Sequence, residues 1–100
     1  MTPKPARRAF LLTYNPVLWT FDPVDVETII ETTRSGGTVA DRWATGVRTS
    51  GVRPGDRLFL LRQGPEPRGI IGSAVAASAI YTEPNWRREG GMANYLDLRW

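Results

Sequence analysis

The chain contains no cysteine and no histidine. Without cysteine there is no disulfide, no thiolate nucleophile and no Cys-ligated metal. Without histidine, the usual partner in zinc sites is gone, along with the side chain most used to move protons near neutral pH. Long apolar runs are missing as well. Met1 to Arg8 is short, basic and Pro-containing, so neither a signal peptide nor a membrane span is expected. That makes a cytoplasmic location and no membrane partner the expectation. Lysine is nearly absent: among the 13 basic residues only Lys4 is not Arg, a bias that a GC-rich coding sequence also produces.

What is present describes one small globular domain, residues 1–100, with 41% hydrophobic and 23% charged residues. Its net charge of +3 is unevenly spread. Residues 1–21 carry Lys4, Arg7 and Arg8 with no acid. Residues 22–35 carry Asp22, Asp25, Glu27 and Glu31 against Arg34. Residues 41–68 carry six Arg against Asp41, Asp56 and Glu66. Two basic segments and one acidic one result, and a polyanion is attracted only to the basic pair.

Periodicity gives a mainly β chain with one helix. Arg8 to Tyr14 reads as a strand with Phe10, Leu12 and Tyr14 on one face, broken by Asn15-Pro16. Asp22-Pro23 is an N-cap and first helical residue, and Val26, Ile29, Ile30 and Thr33 form an apolar stripe before Gly36-Gly37 ends the helix. Ala40 to Gly46 reads as an irregular segment holding Trp43. Arg57 to Arg62 and Gly69 to Tyr81 read as strands, Thr82 to Gly91 as a polar loop, and Asn94 to Trp100 as an alternating strand with Trp100 in the core. Leu58 to Leu61 lacks alternation, so both faces of that strand are expected to be covered. Because the chain stops on an apolar strand face, it is expected to be the N-terminal part of something longer.

Three Trp lie on connecting segments beside Arg. Trp19, Trp43 and Trp86 therefore read either as stacking platforms for unpaired bases, about 1–3 kcal/mol each, or as caps folded back on the core. Arg42, Arg48, Arg53, Arg68, Arg87 and Arg88 are phosphate candidates as a group, since a guanidinium fork matches phosphate oxygens. Taken singly, each is a solvated surface charge. Asp56 follows Pro54-Gly55 and is a turn residue. With no phosphate-cradling loop, no triad and no clustered metal ligands, the expectation is no enzyme, no catalytic residue, no metal and no cofactor.

The stretch RPGDRLFLLRQGPEPRGIIG, residues 53–72, with RWATG before it, resembles the EVE domain of the PUA-like superfamily, which also contains the YTH and ASCH domains. The resemblance implies a small PUA-like β-barrel with the amphipathic helix packed on it. It also implies binding of nucleic acid through a modified base flipped into an aromatic pocket. In such readers a Trp followed by small polar residues walls the pocket, which points to Trp43 and to Thr45 in Ala44-Thr45-Gly46. Asn15 is either a base contact or a turn residue, and Tyr14 either a pocket wall or core. The implied partner is DNA in preference to RNA, with a methylated or hydroxymethylated base. The implied setting is the specificity domain of a modification-dependent restriction system, in some cases fused to an HNH endonuclease. The alternatives are an RNA-binding module and a protein-interaction domain whose Trp are structural.

Overall fold

A computed structural model describes residues 8–85 and 91–100. Within them the chain runs β1 (Ala9–Tyr14), α1 (Pro23–Arg34), β2 (Ala40–Ala44), β3 (Arg57–Arg62), β4 (Gly69–Ala76), β5 (Tyr81–Pro84) and β6 (Met92–Arg99). The strands form one sheet in the order β1-β3-β4-β6-β2. β6 is the organising strand. It pairs with β2 along one side, and on the other with β4 at its end and with β5 from Tyr95 back to Met92. β1 and β3 are parallel, so the chain must cross over between them, and α1 and β2 occupy that crossover.

Alternation sets the core. Leu12 and Tyr14 of β1, Leu58 and Leu60 of β3, Ala74 and Ala76 of β4, and Leu96, Leu98 and Trp100 at the end of the chain share the inner face with Val52. Leu58 and Leu96 are 0% exposed. Gly72 of β4 lies under Trp100: a Cβ there would stand 3.9 Å from the ring, an ordinary van der Waals contact.

Several expectations are corrected. Ala40 to Ala44 is a strand, held by β6 although ADRWA carries little intrinsic β preference. The stretch from Gly69 to Tyr81 is two strands, β4 and β5, separated by residues 77–80, and β5 continues into what reads as polar loop. The outer face of β3 is not covered. Phe59 and Leu61 are half-buried there, beside the exposed Leu11, Ile70 and Ile71.

The helix forms as its caps dictate: Asp22 accepts a hydrogen bond from Val24 N at 2.8 Å, and Gly36 leaves with φ +87°. It does not pack down, however. No residue of α1 is buried, Ile30 is 47% exposed, and only Ile29 reaches the core cluster.

The sheet is also not closed. Its edge strands, β1 and β2, share no ladder. They are linked instead by a side chain, Trp43 Nε1 donating to the Thr13 carbonyl at 3.1 Å. Among the described residues no helix is long and apolar enough to cross a membrane.

Candidate functional site

The seam between β1 and β2 is defined by which backbone groups face it. On β1, the Arg8 and Tyr14 carbonyls accept from Arg57 N and Gln63 N of the β3 side. By alternation the N–H and C=O groups of Leu11 and Thr13 point the other way, into the seam. On β2, Val39 exchanges both hydrogen bonds with Trp100, and Thr45 N donates to Asn94 O at 2.9 Å. The odd-numbered residues therefore face β6, and the groups of Ala44 face the seam from the opposite side. Among the described residues only Thr13 O has a partner there, the Trp43 indole.

Between these two walls lies a cavity of about 110 Å³, lined by Phe10, Leu11, Leu12, Thr13, Ala44, Thr45, Arg48, Val52 and Leu96. It is of the order of the roughly 150 Å³ cavity that admits one benzene ring. A single six-membered ring is therefore the scale of guest it suits. Its base is apolar and its walls offer unpaired main-chain donors and acceptors. A second hollow of about 350 Å³, at Arg57, Val75, Arg99 and Trp100, is more open.

Trp43 closes one end of the seam, but not as a free wall. It stacks on Phe21 at 5.2 Å and 28°, and meets Tyr14, Trp19 and Trp100 edge-on at 6.3, 5.6 and 5.8 Å. Phe21 N in turn donates to the Tyr14 hydroxyl at 3.3 Å. Five rings thus form one cluster under the α1 entry, with Tyr14 buried in the core and Trp19 40% exposed. Asn15 makes the turn its sequence context permits: Oδ1 accepts from Val17 N at 3.0 Å, and its carbonyl accepts from Leu18 N and Trp19 N.

Of the expected site residues, Thr45 and Arg48 reach the cavity. Trp43, Tyr14 and Trp19 sit together in the adjoining aromatic cluster, with Asn15 at its turn. Arg42 and Arg68 are ion-paired with Glu83 and Glu66, each at 2.7 Å. Arg53 is exposed beside the turn that Asp56 closes by accepting from Arg53 N. Trp86, Arg87 and Arg88 lie outside the described residues. Val52 was missed because it lies in the connection between β2 and β3, where no periodicity applies, and Phe10, Leu11 and Thr13 because alternation read from β1 reports where side chains point. The open edge of a strand, by contrast, depends on which partner it lacks.

On the face of β6 opposite Leu96 and Leu98, Tyr95 and Asp97 belong to a polar network with β2 and β5. Arg42 lies over the Tyr95 ring at 4.2 Å, and Tyr81 donates to Asp97 at 2.6 Å. Glu83 holds Arg42 above its ordinary pKa. The Asp97 hydrogen bond, with burial acting in the same direction, raises Tyr81 above the ordinary tyrosine value. Folding therefore favours the neutral phenol. This stabilisation is complete below the ordinary tyrosine pKa and is lost as pH rises through the raised one. Asp97→Asn should move one tyrosinate absorbance midpoint down, and an unmoved midpoint would show that Asp97 does not set it. Among the described residues no three carboxylates gather as metal ligands.

Comparison with protein-family models, with curated proteins and with solved structures finds no match for this chain.

Proposed function

We propose that the chain is a nucleic-acid-binding module that reads one base, inserted ring-first into the β1–β2 seam. The observation that carries this is the pair of main-chain walls, Leu11 and the Thr13 N–H on one side and Ala44 on the other, which have no ladder partner among the described residues and flank a one-ring cavity. A planar heterocycle with donors and acceptors on its edge satisfies such groups, and an aliphatic guest does not. The open sheet is, in this reading, a PUA-like barrel whose seam is the ligand site. The base is a methylated or hydroxymethylated pyrimidine, DNA is favoured over RNA, and the module selects without cutting. Its place is then the specificity domain of a modification-dependent restriction system, with any HNH nuclease supplied by a fused partner domain.

Energetics bound the selectivity. Extruding a base costs a few kcal/mol, offset by the seam contacts and by phosphates. One methyl in an apolar pocket discriminates by about 1–3 kcal/mol, so unmodified base should bind too, more weakly.

The test is a titration of the chain with 5-methylcytidine and with cytidine, in deoxy and ribo forms, followed by backbone amide NMR. The Leu11, Thr13 and Ala44 amides should shift most, with the methylated deoxynucleoside binding tightest. Oligonucleotide binding that leaves these three amides unmoved would refute the seam as the site. A second reading, a protein-interaction domain, has one observation in its favour: the apolar strip of Leu11, Ile70, Ile71 and Val75 exposed on the outer face.

A further inference from the structure

At the mouth of the same seam two arginines converge on one ring. The Arg8 guanidinium carbon lies 5.0 Å from the Phe10 ring centroid and that of Arg48 lies 4.9 Å from it. They also border one methyl-sized spot. A Cβ on Gly51 would stand 3.3 Å from Arg48 Nη1 and 4.0 Å from Arg8 Nη2, and Gly51 itself holds φ +101°. Glycine at 51 thus leaves open the space that both guanidiniums face.

The backbone under each arginine is fixed. Arg8 O accepts from Arg57 N at 3.0 Å, and Arg48 O accepts from the Thr45 hydroxyl at 2.8 Å, which closes the turn between Thr45 and Arg48. Among the described residues neither guanidinium has a carboxylate partner, in contrast to Arg42 and Arg68. Two like charges held around one ring repel each other. The ring face offsets part of that repulsion, and an oxyanion between the two forks offsets it more fully.

We infer that Arg8 and Arg48, brought together over Phe10 and beside Gly51, form a receptor for one phosphate group, that of the nucleotide whose base enters the seam. The link is spatial: Phe10 and Arg48 both line the seam cavity, so an anion held by the pair lies next to a ring held by the walls. This inference rests on the base reading proposed above, and adds to it the anion that fixes the register of the strand.

Binding of 5-methyldeoxycytidine, of its 5′- and 3′-monophosphates and of inorganic phosphate to the whole chain tests it. One of the two monophosphates should bind at least about tenfold tighter than the nucleoside at low salt, the change that one hydrogen bond to a charged group supplies. Arg8→Gln and Arg48→Gln should each reduce that ratio to near one. Arg34→Gln, the same charge change on the helix, should keep it. A wild-type ratio near one, or a gain that survives both substitutions, overturns the receptor while nucleoside binding leaves the base reading intact. If the nucleoside fails to bind yet inorganic phosphate still moves the Arg8 and Arg48 side-chain NMR signals, the receptor stands and the base reading falls. If neither probe acts at these residues, both fall.

Discussion

Trp43→Ala is expected to cost about 3 kcal/mol of folding stability, the lower end of the range for removing a large aromatic from packed surroundings. The lower end applies because Trp43 is half-buried, not enclosed. That is a large share of the roughly 5–15 kcal/mol that holds a domain of this kind together. The reason is its position at the centre of the cluster, where four other rings contact it, three edge-on and one stacked. A second loss adds to the first: the Thr13 carbonyl gives up the indole that it bonds across the seam. Trp43→Phe separates the two effects. It keeps much of the stacking and removes only the indole donor, so about 1 kcal/mol should go. Denaturant unfolding of both variants measures this. Equal losses in the two would mean the hydrogen bond dominates, and near-neutral behaviour of Trp43→Ala would show that the cluster does not hold the edges together. Loss of base binding in Trp43→Ala is therefore interpretable only beside Trp43→Phe.

Leu96→Ala should be comparably damaging, at about 2–5 kcal/mol. Leu96 is fully buried, stands opposite Trp43 in the β2–β6 ladder and lines the seam cavity. Leu58→Ala is the matched control, since Leu58 is equally buried and stands beside Phe10 in the ladder but does not itself line the cavity. Both variants should lose stability to a similar extent. Only Leu96→Ala should alter the guest, because its missing methyls enlarge the space behind the one-ring cavity. The preference for a pyrimidine over a purine nucleoside should then shrink in that variant and persist in Leu58→Ala. An identical guest profile for the two would place the bound ring outside the seam.

Local chemistry was enough to read much of the chain. Asp22, Pro23 and Gly36 bound a helix because capping depends on neighbours within one turn, and Asp56 closes its turn for the same reason. The alternation of β1 and of the last strand placed Leu12, Leu96, Leu98 and Trp100 in the core, because period two and burial go together in a sheet. Composition already excluded cysteine and histidine chemistry.

The rest was decided by partners distant in sequence. Ala40 to Ala44 is a strand because β6 supplies its ladder, a fact that no propensity in ADRWA carries. The apolar stripe of α1 suggested a helix pressed onto the sheet, yet a stripe says what can be buried and not whether a surface is offered, and α1 stays at the periphery. Trp43 stood out in the sequence, but its surroundings depend on Tyr14, Trp19, Phe21 and Trp100 arriving from three other segments. The seam and the Arg8–Arg48 pair were the least legible. Both depend on β1 and β2 approaching without pairing, and an absent ladder is a property of the assembled sheet alone.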